Sequence, residues 1–156
     1  MAQVYLETTI LSYLAARPSR DLITAANQQL THEWWERRRS SFSLCISEAV
    51  LREARAGDPQ IAAKRDELAA GLPLLAITEG VIALAEALVR QGPLPPKAAT
   101  DAIHIAVAAV HAVEYLLTWN CKHIANAEMH PRVRAVCESR GYSMPVICTP
   151  AELMGE

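Results

Sequence analysis

Four polar side chains in this 156-residue chain have the types and spacing from which a metal site can be built: Glu7, Glu53, Asp101 and Asn120. Carboxylates are hard oxygen ligands, and several gathered at one place hold a divalent cation such as Mg²⁺ or Mn²⁺. Such a cation activates water and offsets charge developing on phosphoryl oxygens, which is the chemistry of phosphodiester hydrolysis. Taken singly, each residue also has a plainer explanation. Glu7 suits a surface turn, Glu53 an ion pair with an arginine of its own helix, and Asn120 a turn closed through its side chain. Asp101 opens an almost wholly apolar stretch running to Val110, where helix-dipole stabilisation and metal ligation account for it equally well.

The elements around these residues decide whether they can meet. Short β-rich runs recur at Val4 to Leu6, Phe42 to Ile46, Leu74 to Ile77, Tyr115 to Trp119 and Pro145 to Cys148, with helical periodicity between them. Strands alternating with helices predict an α/β fold, a central parallel sheet of about five strands covered by helices on both faces. Ligands bind such a sheet outside the carboxyl ends of its strands, where strand order reverses. Glu7 directly follows the first run and Asn120 directly follows Trp119. Ser47 is placed to cap a helix over Glu48 to Ala56 that carries Glu53, and Thr78 to cap one over Glu79 to Gln91. Pro95 and Pro96 suit the first turn of the helix carrying Asp101, which is read through to Ala112, and Gly141 suits the end of a helix from Pro131 to Arg140.

Composition narrows the function classes. With 51% hydrophobic and 21% charged residues, the chain is expected to fold as one domain over residues 1–156 without disulfide or zinc staples. A formal charge of -2 excludes bulk attraction as the means of holding nucleic acid, so any such contact is local. The four cysteines form no CxxC pair, which points to a reduced, cytoplasmic setting. No secretory leader is expected, and the apolar run from Ala98 to Trp119 contains Asp101, His104, His111 and Glu114, so no membrane span is expected either. Neither GxGxxG nor a Walker motif occurs, which argues against a nucleotide-binding flavodoxin-like domain. Arg37, Arg38 and Arg39 fit a solvated helix end better than an RNA contact. Of the adjacent Trp34 and Trp35, one is expected in the core and the other is open to an interface. Cys121, His123 and His130 are assigned to packing or hydrogen bonding rather than to zinc.

Four blocks, taken in order, resemble the PIN-domain family and specifically the VapC-like toxins of prokaryotic toxin–antitoxin pairs. They are Val4-Tyr5-Leu6-Glu7-Thr8-Thr9-Ile10-Leu11, Ile46-Ser47 through Val50 and Glu53 to Gly57, Thr100-Asp101-Ala102-Ile103-His104-Ile105-Ala106, and Tyr115-Leu116-Leu117-Thr118-Trp119-Asn120. The chain departs from the family pattern twice: Glu7 stands where Asp is usual, and Asn120 where a fourth acid is usual. The resemblance implies a single PIN-like domain acting as a metal-dependent endoribonuclease, with attack by metal-bound water and products ending in 5′-phosphate and 3′-hydroxyl. It implies Asp101 and Glu7 as principal ligands of Mg²⁺ or Mn²⁺, Glu53 as a ligand directly or through water, and Asn120 as a water or second-site ligand. Thr8 and Thr118 become hydroxyls that orient the acids, and His104 a support behind Asp101. RNA as substrate, a cognate antitoxin and a homodimer follow from the same likeness. The alternative is a catalytically weak PIN-like module that binds RNA or protein, which the uncharged Asn120 keeps open.

Overall fold

The expected alternation of strand and helix is what the chain adopts. In the computed structural model, which describes residues 1–155, the order is β1 (Gln3–Leu6), α1 (Thr8–Ala15), α2 (Leu22–Arg37), β2 (Ser43–Ser47), α3 (Glu48–Ala54) and α4 (Pro59–Ala69). There follow β3 (Leu74–Leu75), α5 (Glu79–Arg90), α6 (Ala99–Val110), β4 (Tyr115–Leu117), α7 (His130–Ser139) and β5 (Val146–Cys148). The five strands form one all-parallel sheet in the order β3-β2-β1-β4-β5. Consecutive residues Val4, Tyr5 and Leu6 of the central strand are all fully buried. A strand buried on both faces needs helices on both faces, as parallel sheets generally have.

From β1 the chain builds outward through β2 to β3, then crosses to the other side of β1 for β4 and β5. Strand order therefore reverses between β1 and β4, which pair with Leu6 opposite Leu117 at their carboxyl ends. That crevice is where ligands bind in open sheets of this kind. The core beneath it is continuous from the sheet into α6, whose Ala102, Ile105, Ala106, Val107 and Ala108 are fully buried. Each wholly buried Leu or Ile here contributes about 1.5–3 kcal/mol relative to exposure. Both edge strands are short, and Leu74 on β3 and Val146 on β5 are more than half exposed.

Several local expectations need correction. The fourth strand ends at Leu117 rather than Trp119, because the backbone there leaves the ladder: Trp119 N donates to Thr9 Oγ1 and Asn120 N to Thr118 Oγ1. β3 stops at Leu75, and the Ala76 carbonyl is taken by His111 Nε2. Ser47 does not cap α3 with its side chain; its hydroxyl is 2.7 Å from the Tyr5 hydroxyl instead. Pro96 belongs to a 3-10 turn, Pro96–Ala98, that leads into α6. α6 itself ends before Ala112, whose φ of 55 turns the chain away with a conformation usually left to glycine. Thr78 does cap α5, its Oγ1 accepting from Val81 N, and α7 stops just ahead of Gly141 at φ 84. Among the described residues, no helix is long and apolar enough to cross a membrane.

Candidate metal centre

Three elements converge at the crevice between β1 and β4. Glu7 sits at the turn from β1 into α1, Glu53 near the end of α3, and His104 on α6. One ligand atom from each lies within 4.8 Å of the other two. Glu7 and His104 are buried, whereas the Glu53 side chain is 38% exposed and so faces the opening. This is a possible metal-binding cluster of two carboxylates and an imidazole. The sequence placed His104 behind Asp101 as a support; the structure puts its Nε2 2.5 Å from Glu53 Oε1, among the ligand atoms themselves.

Threonine hydroxyls fix the two carboxylates. Glu7 Oε1 accepts from Thr9 Oγ1 and from Thr118 Oγ1, both at 2.6 Å, and Glu53 Oε1 accepts from Thr8 Oγ1 at 2.7 Å. Thr8 and Thr118 were singled out from the sequence. Thr9 was not, although its place two residues after Glu7, at the start of α1, is the signal that could have found it.

Behind the imidazole lies a buried chain of hydroxyls that sequence reasoning also missed. The Tyr5 hydroxyl is 2.7 Å from both His104 Nδ1 and Ser47 Oγ, and all three residues are fully buried. A carboxylate only accepts, so Nε2–H donates to Glu53; with one ring proton Tyr5 donates to Nδ1 and Ser47 to Tyr5, and with two Nδ1–H donates to Tyr5 and Tyr5 to Ser47. The second direction also serves a ring whose one proton is on the other nitrogen: Nδ1–H donates to Tyr5, Tyr5 donates to Ser47, and Nε2 presents a lone pair. Exchanging the Nε2 proton for a cation therefore leaves neither Tyr5 nor its partners unpaired. Burial holds the Tyr5 hydroxyl far above its ordinary range, so it takes part as a neutral group.

Asp101 heads a second cluster. Its Oδ1 accepts from Asn120 Nδ2 and its Oδ2 lies against His123 Nδ1, each at 3.1 Å. The Asn120 amide is engaged at both ends, since its Oδ1 accepts from His123 N at 3.0 Å. Those partners fix its orientation: Asp101 needs a donor and the His123 N–H an acceptor. The oxygen that the sequence offered to a metal thus faces backbone. Asp101 sits in the first turn of α6, one turn before His104, but its carboxylate is not among the atoms gathered around Glu7. Thr118 joins the two clusters, donating to Glu7 while accepting from Asn120 N at 2.9 Å.

The electrostatics suit a cation. Among the described residues no Lys or Arg pairs with Glu7, Glu53 or Asp101; the ionic partners within reach are His104 and His123. Burial pushes the Glu7 carboxyl up, with the Glu53 charge adding to it and His104 and the threonines opposing. Burial would also raise Glu53, but the bond and charge of His104 and the Thr8 hydroxyl outweigh it and pull the group down. A carboxyl raised by burial beside one held down by its partners is a place where added positive charge would favour the Glu7 carboxylate.

Other tempting features fall elsewhere. Arg37 ends α2, and Arg38 and Arg39 lie between it and β2, at the amino edge of the sheet and opposite the crevice. Trp34 is wholly buried with Nε1 donating to the Leu153 carbonyl, and the partly buried Trp35 lies under the Arg39 guanidinium. Cys121 is exposed, and His130 Nε2 bonds the Ile124 carbonyl. Set against models of known families and against curated proteins, the chain matches none of them.

Proposed function

We propose that this protein is a divalent-metal-dependent endoribonuclease of the PIN type. The observation that carries this reading is the convergence of Glu7, Glu53 and His104 within 4.8 Å at the crevice where strand order reverses. Mg²⁺ or Mn²⁺ held there supplies a nucleophile from water and a counter-charge for the phosphoryl oxygens. Glu7 and Glu53 hold the cation, with Thr9, Thr118 and Thr8 keeping their oxygens aimed. His104 completes the set on the inner side, and Tyr5 holds its ring from behind at Nδ1. Asp101 extends the negative surface along the crevice, next to Asn120 and His123.

The resemblance to VapC-like toxins extends the proposal to a cognate antitoxin and a homodimer. Carboxylates without basic partners suit an inhibitor's arginine, which would replace the metal's charge in a bidentate way. Of the apolar residues on the first two helices, Leu11 and Trp34 are buried and Leu14 and Trp35 pack on the core, while Leu22 and Ile23 at the start of α2 are 86% and 74% exposed. Exposed apolar side chains side by side suit a protein interface.

The deciding experiment is cleavage of RNA by the parent and by Asp101→Ala and Glu7→Gln, with Mg²⁺ or Mn²⁺ and then with a chelator. Cleavage by the parent alone, dependent on metal, is expected. Cleavage that survives chelation, or a parent that leaves RNA intact, sinks the enzymatic reading in favour of a binding module.

A further inference from the structure

Beside the carboxylate cluster lies an aromatic pair that the chemistry above does not use. The rings of Tyr13 and Trp119 stack with centroids 5.8 Å apart and planes 14° from parallel. Their position relative to the acids is fixed through one hydroxyl. Thr9 Oγ1 donates to Glu7 Oε1 at 2.6 Å and accepts from Trp119 N at 2.8 Å, and Tyr13 follows Thr9 by one turn of α1. The indole is locked as well, since Trp119 Nε1 donates to Thr31 Oγ1 at 2.7 Å.

Packing alone does not account for the pair. Trp34 shows what a structural tryptophan does in this fold, with no exposed surface at all. Trp119 packs against the core yet keeps exposed area, whereas Tyr13 lies outside the core, partly buried, and its hydroxyl makes no hydrogen bond among the described residues. Lys122, exposed and without an ionic partner among the described residues, follows Trp119 by three positions. A rigid aromatic face held beside a carboxylate cluster, with an exposed lysine three residues along the chain, supplies components of single-strand recognition. An aromatic ring accepts a base only when that base has left its helical stack.

We propose that Tyr13 and Trp119 form a platform on which an unpaired nucleobase of the RNA stacks, with the phosphate beside it directed to the Glu7–Glu53–His104 centre. The proposal rests on the ribonuclease reading and adds to it the two side chains that hold the base. Trp119 is the fixed lower ring and Tyr13 offers the outer face. Every base has a π-face, so the platform selects strandedness rather than sequence.

Binding of a labelled, unstructured oligoribonucleotide is followed by fluorescence anisotropy in Ca²⁺, and cleavage of the same oligomer separately in Mn²⁺. Tyr13→Leu is expected to weaken binding by about ten- to a hundredfold, while Tyr13→Phe keeps it. Mn²⁺ affinity by calorimetry stays at the parent value in both variants, and the duplex of the same sequence binds more weakly than the single strand. Parent-like binding by Tyr13→Leu, a preference for duplex, or a parent that does not bind the oligomer overturns the platform. Binding with the expected Tyr13 dependence but no cleavage in Mn²⁺ supports the platform and removes the enzymatic reading, so the two failures are distinguishable.

Discussion

Asp101 and His104 stand one helical turn apart on α6, yet their side chains serve different halves of the crevice. His104 reaches Glu53 and Tyr5, while Asp101 reaches Asn120 and His123. A single buried helix thus supplies both clusters, and each can be disabled without touching the other's ligands.

That separation gives a direct test of which side chains hold the cation. His104→Ala, which removes one of the three gathered ligand atoms, is expected to lower Mn²⁺ affinity by at least the roughly 10–100-fold that loss of a supporting group costs at other metal sites. Glu7→Gln combined with Asp101→Asn is expected to abolish measurable binding. Calorimetric titration reads both, and unchanged affinity in the double variant would falsify the site.

Glu7 and Glu53 should respond to pH with opposite signs. Burial raises the Glu7 carboxyl in the folded protein, so its contribution to stability is present below its unfolded value and is lost as pH rises through the higher folded one. Glu53 is lowered by His104 and Thr8 against the pull of burial; its contribution is present above its unfolded value and is lost as pH falls through the folded one. At neutral pH, Glu7→Gln should therefore stabilise the metal-free protein by about 1 kcal/mol, or roughly 2–4 °C in Tm at this chain length. Scanning calorimetry in chelator checks this, and a Tm lowered by a similar amount would show the ionised Glu7 to be stabilising.

Asn120→Asp places a second carboxylate where an amide nitrogen now lies 3.1 Å from Asp101 Oδ1. Without metal the two charges repel and the His123 pairing loosens, so Tm should fall. With Mn²⁺ the same pair gains a cation to share, so the metal-induced rise in Tm should exceed the parent's. Thermal melts with and without Mn²⁺ decide it; an equal rise in both proteins would mean that position 120 does not face the cation.

Tyr5→Phe removes the hydroxyl that joins His104 Nδ1 to Ser47 Oγ and leaves both buried without it. A loss of about 1–3 kcal/mol is expected for such orphaned groups. Because the Tyr5 hydroxyl holds the imidazole at Nδ1 in either tautomer, metal affinity should fall along with stability, while Ser47→Ala costs less on both counts. Denaturant unfolding gives the second quantity and calorimetric titration with Mn²⁺ the first; an unchanged Mn²⁺ affinity in Tyr5→Phe would rule out a role for Tyr5 in holding the imidazole.

What the sequence revealed follows a physical division. The parallel sheet was legible because β-rich runs such as Val4 to Leu6 and Tyr115 to Trp119 are separated by stretches of helical period. The positions of Glu7 and Asn120 near strand ends followed from that alternation. The partners of those residues were not legible. Ser47 has the type and place of a helix cap, yet a tyrosine hydroxyl from the neighbouring strand takes it, and pairing across strands leaves no trace in local order. His104 resembled a support because its link to Glu53 spans 51 residues. Trp119 read as strand because the hydroxyls of Thr9 and Thr118, which end the ladder, act only once the fold is made.

The short edge strands bear on how the molecule behaves in a crowded solution. β3 has two residues and β5 three, so the outer rims of the sheet offer few free backbone groups as templates for another chain's strand. Runaway strand-on-strand stacking, the common route from exposed sheet edge to fibril, therefore has little to start from, even though Leu74 and Val146 on those rims are apolar and open to water. What the rims leave for contact with another chain is side-chain surface, whose fit is set by shape rather than by the indiscriminate pairing of main chains.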